Sequence, residues 1–402
     1  MGVGAGIVAW YLSITSGWGP RVTLMADVVH VRIIYFFRET FMVASSILRV
    51  IPHSGWAAVV AFTVMSTMAH GQAVLFSDTF DTDSTANWTV NSFVGGTTAS
   101  GGSAVNSSDF FFDYSTAGIP AAPNSTGGST RGLKLQANIS GTGPTAGLPP
   151  GISVSPTGQS FTGDYSLRFD WWTNFIGGTT GGIGNSAGGS GSTQLSTFGI
   201  LSSGTVANYV GSADGVFYGA TPDGGSASDY RAYSVTAQSG YATGTTGVNG
   251  QNVYAAGSQN NTNAYYATPF PGGKTAPLIQ QSGFPLTQTG TTVVGTPSFQ
   301  WNDVLIEKNG PAITWTVNGT LLATTNTTSF ATATKGNNIL FGQADTSVGA
   351  GTPAATFQAV DFTVIDNVRV LSAVPEPSSI ALVAAVAAGM MPLVRRWRRP
   401  AA

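Results

Sequence analysis

The sequence is poor in charged side chains and has no cysteine. Only 8% of its 402 residues are charged, whereas charged residues make up about a quarter of an average globular domain. The absence of cysteine excludes a disulfide framework and any metal site built from thiolates. Because 42% of the residues are hydrophobic, the chain still has enough apolar material for a core and is not a charge-rich disordered chain.

Histidine is confined to the N-terminal part of the chain, at His30, His53 and His70. The region that follows therefore has no Ser-His-Asp, Cys-His or His-metal site. Between Leu75 and Leu371 the single glutamate is Glu307, so the domain has no strand that carries two Glu and an Asp as in a glycoside hydrolase of the laminarinase type. We expect no enzymatic activity. The alternative is a surface carbohydrate-active enzyme that uses paired Asp residues as acid and base.

The region between Leu75 and Leu371 is mildly acidic. It contains 15 acidic residues against 8 basic ones, which leaves an excess of seven negative charges. A domain with this balance and scattered basic residues lacks the electrostatic footprint of a nucleic-acid-binding protein. We therefore expect no nucleic-acid partner.

Residues 74–372 have the pattern of a β-sandwich domain. Several segments alternate apolar and polar residues with a period of two, which is typical of strands with one buried face. Short strands separated by Gly-rich turns predict an all-β sandwich with almost no helix. The predicted strands are 74–80, 131–139, 165–171, 197–201, 230–235, 299–308, 312–317, 320–324, 338–342 and 357–371.

Turn and loop signals separate these strands. Asn318-Gly319 is a strong hairpin turn, since both residues tolerate a positive φ. Residues 95–108, 177–193 and 237–263 are rich in Gly, Ser and Thr and poor in apolar anchors. Such tracts lose much conformational entropy on ordering, so we predict long surface loops there.

The N-terminal 73 residues divide into two parts. Residues 42–73 have the layout of a secretory signal peptide, with a positive start, an apolar stretch and small residues before Ala73. Residues 1–41 show no domain logic and form an uncertain extension, which a start of translation at Met42 would remove and one at Met25 would shorten. The alternative is a genuine N-terminal membrane hairpin.

The C-terminal segment, residues 373–402, has three parts. Pro375-Glu376-Pro377 is rigid and extended, because proline fixes φ and disfavours helix in the preceding residue. An uncharged apolar run of 15 residues follows from Ile380 to Val394, shorter than the ~20 residues of a permanent membrane span. A cationic cluster after such a run stays on the cytoplasmic side. The cluster consists of Arg395, Arg396, Arg398 and Arg399.

This segment resembles the PEP-CTERM sorting signal, in which a Pro-Glu-Pro motif precedes a short hydrophobic helix and a basic tail. The resemblance carries over to Pro375, Glu376 and Pro377. It implies export, a transient membrane anchor formed by one C-terminal transmembrane sorting helix, and cleavage near the motif by an exosortase-type membrane protease. The alternatives are an ordinary tail anchor and a buried apolar helix.

The segment 299–324, with Trp301, Trp315 and Val317-Asn318-Gly319, resembles a late hairpin of concanavalin A-like, laminin-G-like jelly rolls. Residues 362–372 are similar to the last strand of jelly-roll carbohydrate-binding modules. The resemblance implies a jelly-roll β-sandwich and says little about function, because this fold hosts many activities. We also expect the first and last strands to lie side by side.

Calcium is the metal that the sequence allows. Aspartates follow the predicted first strand and lie on the last one, and related jelly rolls often hold a structural ion between these segments. We single out Asp81 and Asp366 as candidate calcium ligands, since calcium prefers several oxygen ligands. The alternative is that these residues cap turns and keep strand edges soluble.

Four aromatic residues are candidates for glycan binding: Trp171, Trp172, Tyr265 and Tyr266. Adjacent strand residues face opposite sides of a sheet, so one ring of each pair points away from the core unless another layer covers it. The alternative is that long loops bury these rings. Together the features predict an exported cell-surface or extracellular-matrix protein that is structural or adhesive and binds exopolysaccharide.

Overall fold

Two antiparallel β-sheets packed face to face make up most of the described chain. The computed structural model describes residues 72–97, 100–101, 105–139, 147–175, 193–208, 214–234, 253–282, 290–330, 336–346 and 360–373. They belong to a compact unit that spans Gly71–Pro375. The sorting motif, the C-terminal arginines, and the predicted signal peptide up to residue 71 lie outside the described residues.

The described residues are mostly strands, as the composition predicts. One α-helix occurs among them, α1 (Leu278–Ser282), together with a few short 3-10 turns. No helix in this part of the chain is long and apolar enough to cross a membrane. The strands are β1 (Val74–Asp78), β2 (Trp88–Phe93), β3 (Gly96–Thr97), β4 (Ser100–Gly101), β5 (Ser107–Asp113), β6 (Arg131–Gln136), β7 (Gly151–Pro156), β8 (Tyr165–Asn174), β9 (Gln194–Ser202), β10 (Val216–Ala220), β11 (Tyr230–Ser234), β12 (Asn302–Asn309), β13 (Ala312–Val317), β14 (Thr320–Asn326), β15 (Asn338–Asp345) and β16 (Phe362–Ser372).

The larger sheet has eight strands in the order β14-β13-β12-β8-β16-β6-β5, with β1 also paired to β16. Residues Thr363–Ile365 of β16 pair with β6, and Val368–Leu371 pair with β1. The predicted pairing of the first and last strands is therefore confirmed. The smaller sheet has the order β11-β10-β9-β15-β7-β2, and β3 and β4 form a separate ribbon.

The main core lies between the two sheets and follows the period-two pattern. On β8, Leu167, Phe169 and Trp171 point into this core. Their neighbours Arg168, Asp170 and Trp172 therefore occupy the outer face of the larger sheet. The predicted sandwich, with one face of each strand toward the partner sheet, accounts for this arrangement.

A second apolar layer covers part of that outer face. Residues 114–129, which we call the roof, run across it in two short 3-10 turns. Tyr114 and Ile119 of the roof pack with Trp172 and Phe362 of the sheet. Trp172 is buried by this layer and Trp171 by the main core, so both indoles of the Trp-Trp pair are buried.

The predicted hairpin turn at Asn318-Gly319 joins β13 to β14, and both residues have positive φ. The Asn318 carboxamide accepts a hydrogen bond from the backbone N–H of Asp303 and donates to Pro269 O and Asn302 Oδ1, each at 3.0 Å. The side chain thus ties the hairpin to β12.

Replacing this asparagine tests its role in the sheet. Asn318→Ala removes three hydrogen bonds. It also leaves an alanine, whose side chain cannot form hydrogen bonds, at a left-handed φ. We expect the free energy of unfolding to fall by about 2 kcal/mol in urea denaturation. The matched control is Asn309→Ala at the end of β12, where the residue is exposed; an equal loss there would contradict the assignment.

Candidate functional site

Two arginines are exposed in the middle of two buried strands. Arg168 is the one exposed residue of β8. Arg369 is the one exposed residue of β16, whose last two residues are half-buried. The two arginines are direct cross-strand partners on the outer face of the larger sheet. They show that this part of the outer face, beside the roof, is exposed to solvent; we call it the window.

The register of the sheet extends this window into a row across six strands. Ser77 and Leu321 at its ends are exposed, and Leu305 and Thr316 in between are half-buried. At about 4.8 Å per strand, the row is about 24 Å long. We call it the arginine row; in cross-strand order its members are Ser77, Arg369, Arg168, Leu305, Thr316 and Leu321.

A β-bulge in β16 puts Arg369 in this row. The pairing with β8 shifts between Asp366 and Arg369. Ile365 and Val368 both enter the main core, so two residues lie between them instead of one. One of these, Asn367, has a φ of 54°. Bulges re-aim side chains in this way, and without the extra residue strict alternation would point Arg369 into the core.

The two guanidinium groups differ in their partners. Arg168 binds the Asp303 carboxylate through two hydrogen bonds of 2.8 Å, and the two side chains are 52% and 37% exposed. Arg369 makes no ion pair or side-chain hydrogen bond within the described residues. The row therefore has one guanidinium, that of Arg369, to which the described part of the chain supplies no carboxylate partner.

Beneath the roof lies a pair of buried aspartates, Asp170 and Asp366, which are direct partners across β8 and β16. Asp170 accepts hydrogen bonds from the backbone N–H and the carboxamide of Asn124, at 3.2 and 2.7 Å. Asp366 accepts from Tyr114 Oη at 3.0 Å and Ser125 Oγ at 2.8 Å. The Asn367 carboxamide donates to Asp170 at 2.8 Å and so links the bulge to the pair. These bonds hold the roof on the sheet.

Burial disfavours ionisation of both carboxyl groups. Desolvation, with a smaller contribution from the charge of Asp170, raises the pKa of Asp366 to about 7, although hydrogen bonds from Ser125 and Tyr114 oppose the shift. Burial likewise raises the pKa of Asp170. The pair can hold a proton near neutral pH. As placed, however, its oxygens bind the roof and are closed to a substrate.

The two candidate calcium ligands lie in different environments. Asp81 is exposed and accepts a hydrogen bond from Thr79 Oγ1 at 2.8 Å. Asp366 is buried, and its oxygens are used by the roof and the bulge. Among the described residues, no group of three or more His, Cys, Asp and Glu side chains could hold a metal ion.

Of the four candidate aromatics, three are buried. Trp171, Trp172 and Tyr266 are at most 3% exposed, so their ring faces are occupied by protein and do not offer a surface to a sugar. Tyr265 is 36% exposed, and its hydroxyl donates to the carbonyl oxygen of Leu321 at 2.8 Å. The structure thus puts one predicted aromatic at the β14 end of the arginine row.

The arginines of the row were not predicted from the sequence. A signal was available, because each interrupts an apolar strand, in Leu-Arg-Phe at 167–169 and in Val-Arg-Val at 368–370. A charged residue flanked by core residues indicates an exposed position on an otherwise buried strand. What the sequence does not contain is the bulge that brings the two into register.

Comparison with known proteins adds little. No protein-family model and no curated protein matches the chain. A Bacillus subtilis protein with a galectin-like fold matches 76% of this chain and 98% of its own, at 8% identity and a TM-score of 0.35. A laminarinase from Flavobacterium sp. UMI-01 matches 75% of this chain and 100% of its own, at 10% identity and a TM-score of 0.35. The carbohydrate recognition domain of Emp46p matches 72% of this chain and 90% of its own, at 8% identity and a TM-score of 0.31. Similarities this weak support no inference, so the two-sheet sandwich rests on the strand pairing described above.

The raised pKa of Asp366 makes stability depend on pH. Its contribution to stability is fully present below the ordinary pKa of 3.8 and is lost as pH rises through about 7, because the folded state must then bury a charge. We expect the free energy of unfolding to fall between pH 4 and pH 8 by on the order of a few kcal/mol, and the variant Asp366→Asn to lose most of this fall.

Urea denaturation at a series of pH values measures this dependence. The control is Asp83→Asn, an exposed carboxylate whose pKa is held below its ordinary value by hydrogen bonds from Thr85. The lowered pKa of Asp83 affects stability at acidic pH. The Asp83→Asn variant should therefore retain the fall in the free energy of unfolding toward pH 8. An Asp366→Asn variant with the same pH profile as the parent would rule out Asp366 as the cause.

Proposed function

We propose that the chain is an exported cell-surface protein that binds polysaccharide without cleaving it. Its sandwich is of the concanavalin A-like, jelly-roll type, and the arginine row is its binding surface. The observation that carries the proposal is a row of exposed and half-buried side chains, polar and apolar, about 24 Å long, beside the roof on the outer face of the larger sheet. A row of this length fits a chain of sugars better than a single sugar.

The side chains of the row suit a polyhydroxylated ligand. The Arg168–Asp303 pair presents donors and acceptors in one plane. Exposed ion pairs contribute little to stability, so this pair is more useful for binding than for folding. Tyr265 offers a partly exposed ring at one end, and aromatic rings pack well against the apolar face of a pyranose. All these groups stand on strands or are tied to them, which limits the entropy lost on binding.

In this proposal the two terminal segments direct the protein to the cell surface. Residues 42–73 direct export, and Pro375-Glu376-Pro377 with its apolar run and arginines directs sorting by an exosortase-type protease. The membrane is then a transient partner and exopolysaccharide the lasting one. Support comes from the order of motif, apolar run and basic cluster.

A carbohydrate-active enzyme is the second candidate, because Asp170 and Asp366 face each other and one of them has a pKa near 7. Paired carboxylates of this kind can act as acid and base. Six protein hydrogen bonds to the two carboxyl groups argue against an enzyme, four of them from the roof and two from Asn367. Release of reducing sugar that Asp170→Asn abolishes would establish the enzyme instead.

Loss of the ring at the end of the row tests the binding surface. We expect Tyr265→Ala to weaken polysaccharide binding between about threefold and tenfold in affinity electrophoresis, because ring contacts are lost. Tyr265→Phe is the matched control: it keeps the ring, loses the hydrogen bond to Leu321, and retains binding. Equal weakening by both variants would show that the hydroxyl group and not the ring matters.

The intact mass of the protein from its native host tests export and sorting. We expect a chain that starts after Gly71 or Ala73 and ends near Pro375–Pro377, recovered from the cell surface or the medium. Recovery of the unprocessed chain from the cell interior would contradict the proposed location.

A further inference from the structure

We infer that the polysaccharide is acidic and that Arg369, beside Arg168, binds the carboxylate of a uronic-acid unit. The inference rests on the proposed function and adds the chemical class of the ligand. It comes from the charge and the partners of the two arginines.

The first step is the juxtaposition of like charges. Arg168 and Arg369 are direct cross-strand partners, at Cα positions about 5 Å apart in an antiparallel sheet. Like charges in this position destabilise a sheet. Asp303 neutralises Arg168 only, so one positive charge of the pair remains without a protein anion in the described part of the chain. A bound anion would relieve the repulsion.

The second step is the backbone distortion that places Arg369. Asn367 adopts a left-handed φ of 54°, a conformation that asparagine tolerates better than most residues with a side chain. Its carboxamide holds the bulge through hydrogen bonds to Asp170 and to Ser125 Oγ. Specific side-chain hydrogen bonds therefore hold the bulge at the position that turns Arg369 outward. Bulges of this kind often lie next to functional sites, where they re-aim a side chain.

The third step identifies the ligand group. A guanidinium is planar and matches a carboxylate through two parallel N–H···O bonds. The Arg168–Asp303 pair shows this geometry on the same surface, with both bonds at 2.8 Å. A carboxylate on a pyranose can bind Arg369 in the same way while neighbouring sugars lie along the row.

The excess charge of the row is local. The region from Leu75 to Leu371 carries an excess of seven negative charges. A polyanion therefore gains no long-range attraction from the domain as a whole, and its binding depends on direct contact with Arg369. A neutral polysaccharide would leave that guanidinium without a partner.

Three probes and three variants test the inference on the full chain. The probes are polygalacturonate with its carboxylates, dextran sulfate with sulfate esters, and neutral laminarin. We expect polygalacturonate to bind most tightly. Arg369→Gln should weaken this binding at least tenfold, and Arg369→Lys should weaken it several-fold, because lysine keeps the charge but loses the planar fork. Since Arg369 is exposed, both variants should fold normally, which thermal unfolding checks.

The control is Lys274→Gln, which removes one positive charge outside the row and should leave affinity unchanged. Equal affinity for laminarin and polygalacturonate, preference for dextran sulfate, or an Arg369→Gln variant that binds polygalacturonate like the parent would each overturn the inference. Polysaccharide binding itself would stand in those cases. Failure to bind any of the three probes would overturn both.

Discussion

The larger sheet depends on β16, because two strands share one of its edges. β6 pairs with its first half and β1 with its second half, while β8 pairs along the opposite edge. The bulge at Asn367 lies at the change of partner. It lets Ile365 and Val368 both reach the core, and it turns Arg369 outward. The same bulge thus lies where β1, the first strand, joins β16, the last, and exposes the arginine pair.

The bulge also explains why the outer face carries two opposite environments within one strand. On one side of Asn367, Asp366 and Asp170 are buried beneath the roof and bound to it. On the other side, Arg369 and Arg168 are exposed. A single asparagine side chain joins them, since it contacts both Asp170 and the roof residue Ser125. A carboxylate can be buried here because it becomes neutral when it binds a proton. A guanidinium keeps its charge in proteins and therefore stays in solvent.

The sequence predicted the two-sheet sandwich, the pairing of β1 with β16 and the β13–β14 hairpin, because alternation and the Asn-Gly turn are local signals. It did not predict β2, β3, β4, β5, β7 and β10. The residues of β7 and β10 are buried on both faces and so do not alternate. The region predicted as a loop at 237–263 contributes Val253 and Tyr254 to the core. Tyr265 was singled out from the sequence. The apolar neighbours of Arg369 indicate its exposure, but its pairing with Arg168 could not be predicted, since it depends on a register shift.

The pairing of the chain ends has a mechanical consequence. Val74 faces Leu371 at the end of the sheet where both terminal strands leave it, and Ala73 exchanges hydrogen bonds with Ser372 there. A pulling force applied between the two ends would load these bonds one after another, as in opening a zipper, and not all at once in shear. Strand β1 would peel away under modest tension while the remaining pairs of β16, to β8 and β6, still hold the sandwich together.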